Sequence, residues 1–539
     1  MRFAAVIAFA LLLKSQSLAG EPDPQRVDQI FAAYDKGTSP GCALGVIRNG
    51  AFIYRKGYGA ASLELGVPLS SQSVFYLGSV SKQFTASSVV LAAEQGLLSL
   101  DDNIRKYIPE LPGYAQSVTL RQMLHHTSGF RDVLGLLDLS GRSALDLHPT
   151  AELIDLIARQ KALNYDPGAE FLYSNTNYFL LGEVIRRSTG KPLPVFAAEN
   201  IFQPLAMTHT RFLDDHTAVV PGRIPAYSPG SGGSFLVNWS TNFDKVGDGG
   251  LLSSVDDLFL WDRNFYENRL GKGTLLKELQ TRGVLNDGKQ IRYALGLNIG
   301  TYRGLPIVEH SGGLFGYRTE ILRFPKQHFT VICLCNLSSA SPVRVAHQVA
   351  EIYLENSLQP ETEPPAPGAA SGAGEFAGKY LSRSDHSVFS FTASGGNLVA
   401  QGAKLRRVGS NRFEGPDGAI IVFDGSDAAM KVTIESGGEV LFAGSRIDEA
   451  RVGEAVLAPY AGSYRSAELD ATYKLSVENG SLTLRANWNA PLKLNPLIRD
   501  EFENRALGTL VFHRDANDRI TGLSVFAGRI RNVTFERVH

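Results

Sequence analysis

Ser79 and Lys82 stand three residues apart in Tyr76-Leu-Gly-Ser-Val-Ser-Lys82. On a helix that spacing puts both side chains on one face. A serine at a helix N-terminus has its oxygen at the positive end of the helix dipole. A lysine packed beside it, away from water, loses its proton near neutral pH and can act as a base. The pair reads as a nucleophile with its activator, although a helix cap followed by a solvated lysine shows the same residues. Tyr173-Ser-Asn175 follows the turn Asp166-Pro-Gly168 at the mouth of another helix. Asn175 suits a helix N-cap. The chemical reading makes Tyr173 a second proton carrier and Asn175 a polar contact for substrate. His310-Ser-Gly312-Gly313 ends a strand-like run, where glycine lets a substrate backbone approach closely. His310 can shuttle protons or hold a carboxylate, or be an ordinary strand-edge histidine.

These residues need elements to position them. Asn49-Gly50 between two apolar runs predicts a hairpin over 42–58, because both turn residues must take positive φ. Phe84, Ser88, Leu91 and Gln95 predict a helix over 79–95 that Gly96 stops. Thr119-Leu-Arg-Gln122 is a capping box. Further helices are expected from Pro149, over 176–189 and over 255–265. From about 293 the period changes to strands: 294–299, 307–308, 319–324 and 329–335. Ser341-Pro342 opens a last helix through Leu354. Strands first, helices in the middle, then strands and a helix make one α/β (α+β) unit with a mainly antiparallel sheet, ending near residue 357.

Residues 358–374 form a linker of Pro, Gly, Ala and Ser that cannot bury enough surface to fold, so the flanking units are expected to be separable. Beyond it lies a tandem repeat over 375–449 and 458–539. Phe376-Ala-Gly-Lys-Tyr380 returns as Tyr460-Ala-Gly-Ser-Tyr464, and Phe413-Glu414 as Phe502-Glu503 after an insertion in the second copy. Both copies alternate with period two and turn at Gly395-Gly396 or Asn479-Gly480, which predicts two small antiparallel β barrels or sandwiches, with one composite β domain as the alternative.

At the other end, Arg2, the apolar run Phe3–Leu13 and Ser17-Leu-Ala19 predict a signal peptide over 1–19, cleaved near Ala19. The expected product is exported, periplasmic or secreted, with no membrane insertion. Lys plus Arg is 53 and Asp plus Glu 54, a formal charge of -1, which offers no field for nucleic acid. Apolar residues are 44% and charged residues 20%, which excludes a wholly disordered chain or a coiled coil. The 3 cysteines are too few for a disulfide scaffold. Cys333 and Cys335 share one face of a buried strand as small hydrophobes. One bridge from Cys42 to either of them is open in an oxidising compartment.

In order and setting, Ser79-x-x-Lys82, Tyr173-x-Asn175 and His310-x-Gly312 resemble the three motifs of the penicillin-recognising serine enzymes. That family holds class C β-lactamases, DD-peptidases, D-aminopeptidases and β-lactamase-like carboxylesterases. The likeness covers about 27–357, and Leu124-His-His-Thr-Ser-Gly129 and Gly247-Asp-Gly-Gly-Leu-Leu-Ser253 agree with it. It implies a serine β-lactamase-like domain with a helical subdomain. Ser79 would form an acyl-enzyme, and Lys82 and Tyr173 would share the base and acid roles. The N–H groups of Ser79 and Gly313 would make an oxyanion hole, with Asn175, His310, Gly312 and Gly313 lining the substrate. No metal or cofactor is implied. His310 stands where β-lactamases carry lysine, and a histidine is only partly charged at neutral pH. His-x-Gly and two terminal barrels resemble the D-aminopeptidases, in which a loop of the last barrel reaches the active site. Trp488-Asn-Ala-Pro491 is the candidate for that loop. The implied activity is hydrolysis of a small molecule or peptide, D-amino-acid and cell-wall peptides included, or of an ester. A carboxylesterase, a weak class C-like β-lactamase and a slowly acylating penicillin-binding sensor are the alternatives.

Overall fold

Asn49 and Gly50 take φ of 51° and 73°, and the turn they make joins the two N-terminal strands of a six-stranded sheet. The computed structural model describes residues 24–538 except 144–145, 240–243, 361–371, 416–417, 437–438, 449–453 and 487–489. The expected signal peptide, most of the linker and Trp488 lie outside the described residues. The strands are β1 (Cys42–Arg48), β2 (Ala51–Tyr58), β3 (Asn298–Tyr302), β4 (Leu305–Leu314), β5 (Tyr317–Phe324) and β6 (Phe329–Cys335). Their order is β3-β4-β5-β6-β1-β2, antiparallel throughout. The register sets Cys42 opposite Cys335, and these two form the disulfide, leaving Cys333 a buried thiol.

Six helices pack on this sheet or border the site: α1 (Pro24–Phe31), α2 (Lys82–Glu94), α3 (Val133–Leu139), α4 (Asn175–Thr189), α5 (Val255–Glu267) and α6 (Pro342–Leu354). One sheet face buries Leu44, Val46, Val331 and Cys333 against Val27 and Phe31 of α1 and Val345 and Val349 of α6. The other buries Ala43, Ile47, Ile332 and Leu334 in the core that holds Val255 and Leu258 of α5. Burial on two sides explains why β1 and β6 are almost continuously apolar.

The helix of the serine motif differs from its expected form. A 3-10 turn, Gly78–Ser81, precedes α2, and α2 is buried from Lys82 to Ala92 instead of along one stripe. It is enclosed by α4 and the Leu193–Ala197 and Leu275–Leu279 helices. Its polar residues tolerate this because Ser87 and Ser88 bond back to the carbonyls of Gln83 and Phe84, at 2.6 and 2.9 Å. The strand expected over 294–299 begins only at Asn298. Gly296 takes φ of 72° in a turn closed by Ala294 N–H on Leu297 O, and a Cβ there would meet Gln83 N at 2.6 Å. Close approach to α2, not strand pairing, accounts for that apolar run.

The tail is two β units. The first is an open nine-stranded antiparallel sheet whose end strands, Ala403–Lys404 and Arg406–Arg407, are one residue apart, so it nearly closes. The second is a closed eight-stranded barrel. The repeat is visible atom by atom. Tyr380 donates to Phe376 O at 3.0 Å and Tyr464 to Tyr460 O at 2.9 Å. Arg446 and Arg537 lie over those tyrosine rings at 5.7 and 5.9 Å.

The closed barrel packs into the core of the first unit, where the linker led to the expectation of separate units. Its Tyr473, Leu475, Ile530 and Val533 belong to the same core as Leu136, Leu137 and Leu139 of α3. Tyr473 donates to Leu139 O at 2.7 Å. The nine-stranded unit keeps its own core around Tyr380, Phe391 and Phe423.

Candidate active site

A cavity of about 510 Å³ opens where the 3-10 turn, β4 and the mouth of α4 meet. Ser79, Tyr173, Asn175, His310, Gly312 and Gly313 all line it. Glycine makes the approach possible. Gly78 has φ of 56°, and a Cβ on it would sit 2.6 Å from Gly313 N. A Cβ on Gly312 would sit 2.0 Å from Leu77 O and 3.0 Å from Ser79 N. The amides of Ser79 and Gly313 are thereby held on either side of one backbone contact, with the Ser79 side chain at the cavity wall.

In a 3-10 turn, side chains three apart eclipse, and Lys82 Nζ donates to Ser79 Oγ at 3.0 Å. The same ammonium donates to Asn175 Oδ1 at 3.0 Å and to Asp248 O at 2.6 Å, so its three donors are matched. Burial pushes its pKa down to about 7, opposed by Asp248 and reinforced by Lys245 and Arg529. Near neutral pH a large fraction is free amine, able to take a proton from Ser79.

Asn175 is the first residue of α4 rather than its cap. Its N–H and Nδ2 both donate to Asp132 Oδ2, at 2.7 and 2.9 Å, which turns Oδ1 toward Lys82. Asp132 caps α3 with its other oxygen, accepting from Leu134 N and Gly135 N at 3.0 and 3.2 Å. Tyr173 packs on His126 with ring centres 4.2 Å apart and ring planes tilted by 32°, and Lys82 Nζ lies 4.8 Å from its ring centre. Its buried hydroxyl makes no well-aligned hydrogen bond with a described residue. Burial raises its pKa, with the nearby Ser79 hydroxyl working the other way, so it is a phenol at neutral pH.

His310 departs from its expected partial charge. Nδ1 lies 2.6 Å from Ser311 O, which can only accept, so Nδ1 carries the proton. Nε2 then accepts from Tyr293 Oη at 3.1 Å. Burial, with the charge of Lys82, pushes its pKa down to about 4, and it is neutral at pH 7. The end of β4 offers hydrogen bonds, not a cation.

Asp132, Asp248, His126, Tyr293 and Arg529 complete the site without having been assigned a role from sequence. A capping signal precedes Val133-Leu-Gly-Leu-Leu and marks Asp132, but nothing local shows that it also holds Asn175. Arg529 comes from the last hairpin of the closed barrel, between β7 (Ile520–Ala527) and β8 (Ile530–Val538), and lines the cavity. Among the described residues, Cys42, Cys333 and Cys335 are the one group close enough to share a metal, and the disulfide takes two of those sulfurs.

A buried lysine on a serine beside two backbone amides is the equipment of an acyl-transferring serine hydrolase. Residues 27–354 match the Beta-lactamase family, and the chain belongs to it and is a serine hydrolase. It is 27% identical over 449 residues to a D-aminopeptidase of Gluconobacter oxydans, covering 80% of each chain. It is 26% identical over 526 residues to a D-aminopeptidase of Brucella melitensis biotype 1, covering 93% of this chain and 96% of that one. An octameric penicillin-binding protein homologue from Pyrococcus abyssi shares the fold at a TM-score of 0.57 and 20% identity, over 86% of this chain and 99% of that one.

Proposed function

We propose that this protein cleaves amide bonds of small D-amino-acid peptides through an acyl-enzyme on Ser79. The observation that carries the reading is Lys82 Nζ, buried and 3.0 Å from Ser79 Oγ. As the free amine, Lys82 takes the Ser79 proton while Oγ attacks the carbonyl carbon. The oxyanion forms beside the N–H groups of Ser79 and Gly313. Tyr173, protonated at neutral pH, is suited to pass a proton to the leaving amine while Lys82 returns toward its charged state. Water then attacks the ester carbonyl, with the same groups in reverse roles, and releases the acid and Ser79. The pKa directions support Lys82 as base and Tyr173 as proton donor. The D-aminopeptidase relatives support peptides as the substrate class. The Cys42–Cys335 bridge supports an exported protein, since such bonds persist in oxidising compartments.

The test is covalent labelling. A fluorophosphonate should label wild-type protein at Ser79, and Ser79→Ala should lose both labelling and turnover of D-aminoacyl p-nitroanilides while melting like wild type. Equal labelling of Ser79→Ala removes Ser79 from the mechanism. Turnover of esters alone moves the reading to a carboxylesterase.

A further inference from the structure

Arg529 reaches the cavity from the far end of the chain, and its backbone is fixed there. Its carbonyl accepts from Asn164 Nδ2 at 3.0 Å and from Asp132 N at 3.4 Å. Two residues on, Arg531 N donates to Asn164 Oδ1 at 2.8 Å. Arg131 donates to Arg531 O and Asn532 O at 3.0 and 2.8 Å. The hairpin tip is therefore part of the cavity wall.

The guanidinium at that tip is largely unspent. It lies 4.5 Å above the Tyr173 ring. Its ion pair is the 3.8 Å contact with Asp132 Oδ2, an oxygen already taking two N–H groups of Asn175. It makes no side-chain hydrogen bond among the described residues, and the side chain is 48% exposed. The other cations nearby are committed. Lys82 is bonded to Ser79, Asn175 and Asp248, Lys245 is paired with Asp248, and Arg318, beside Gly313, donates to Phe315 O and Tyr317 O. His310 is neutral. Among the described residues that line the cavity, Arg529 thus supplies the permanent positive charge, with free planar donors, in the same cavity as Ser79. A guanidinium matches a carboxylate bidentately, and it disfavours an ammonium in the same place.

We infer that Arg529, supplied by the closed barrel, binds a carboxylate of the substrate, so that the enzyme selects anionic over cationic peptides. This rests on the acyl-transfer reading above and narrows its substrate class. The peptides favoured are those that present an acid group to the barrel side of the cavity rather than a free amine.

Three p-nitroanilides of D-alanine test it: N-succinyl (anionic), N-acetyl (neutral) and the free amine (cationic). Wild type should show kcat/KM for the succinyl compound on the order of tenfold or more above the acetyl one, the usual size of a charge-assisted bond. Arg529→Gln should bring that ratio to about one, and Arg529→Glu should invert the order in favour of the free amine. An unchanged ratio in a labelled, active Arg529→Gln enzyme overturns the inference, as does a wild-type preference for the cationic compound. Absence of fluorophosphonate labelling in wild type would instead count against acyl transfer. Binding then decides for Arg529 separately. Calorimetric titration of N-succinyl-D-alanine into Ser79→Ala should show affinity lost by a similar factor in Ser79→Ala/Arg529→Gln, and equal affinity overturns the inference.

Discussion

Arg131 and Glu468 form an ion pair of 2.5 Å with side chains 2% and 1% exposed. Arg131 sits just ahead of α3 and Glu468 in the closed barrel, so the pair bolts the barrel to the helical region. Glu468 also accepts from Lys161 N at 2.9 Å and from Thr534 N at 3.1 Å. The guanidinium spends its other donors on Gln160 Oε1 and on the carbonyls of Arg531 and Asn532. Those carbonyls belong to the strand that follows Arg529, so the bolt lies next to the cavity wall.

Breaking this pair on one side leaves a buried charge without its partner, a cost of about 3–5 kcal/mol. Arg131→Met or Glu468→Gln should therefore lower Tm by several degrees and weaken activity by freeing the hairpin. Arg131→Met/Glu468→Met should recover part of the loss, because two apolar groups bury no charge. A chain ending near residue 366 should fail to fold as a soluble unit, since it exposes the apolar face of α3. Scanning calorimetry of the variants checks the first point. A soluble, cooperative truncated protein would refute the second.

In the proposed mechanism acylation needs Lys82 as the free amine, so kcat/KM should rise with pH through about 7 and level above it. The sign follows from the cause. Burial disfavours the ammonium, so the active form is lost as pH falls. His310, at about 4, should leave no limb above pH 5. Arg529→Gln removes a positive neighbour of Lys82, lets its pKa rise, and should move the limb to higher pH. A pH–rate series for wild type and Arg529→Gln on the N-acetyl p-nitroanilide measures both. A flat profile between pH 5 and 9 would rule out Lys82 as the base.

Much of this site was legible in the sequence because its groups sit in short motifs whose spacing a turn or strand reproduces. Ser79 and Lys82 meet through one turn, and Gly312 and Gly313 follow His310 along one strand. The unseen part depends on contacts between distant segments. Asp132 holds Asn175 across 43 positions, and Arg529 arrives from a barrel hairpin. The neutral state of His310 depends on burial and on Tyr293, neither of which the His-x-Gly motif encodes. The fold followed the same division. Asn49-Gly50 and Thr119–Gln122 made the predicted turn and capping box, whereas the apolar run at 294–297 turned at Gly296 because α2 passes beside it.

In the proposed mechanism Lys82 and Tyr173 serve one proton path, so their losses should not multiply. Lys82→Ala and Tyr173→Phe should each lower kcat/KM on the order of 10²–10⁴-fold. The double variant should be little worse than the poorer single one. The mutual geometry motivates this: Lys82 Nζ is 4.8 Å from the Tyr173 ring centre and bonded to Ser79. Single-turnover acylation rates for the four proteins complete the cycle. Fully multiplicative losses would mean that the two groups act in separate steps.

The Cys42–Cys335 bridge joins neighbouring strands of the sheet and closes a loop of 293 positions. In the chain-entropy account, closing so long a loop destabilises the unfolded state by about 6 kcal/mol, although measured cases often fall short. The loop holds α2 to α5 and the strand β4, so every group that lines the cavity except Arg529 lies inside it. Its release should be felt at Ser79 as well as in Tm. Cys42→Ser should therefore melt lower than wild type by several degrees or more. Cys333→Ala should change Tm much less, because it removes one buried sulfur and no cross-link. The denatured, unreduced protein should titrate one thiol and the reduced protein three. Three thiols before reduction, or equal melting of Cys42→Ser and wild type, would show that the bridge does not form in solution.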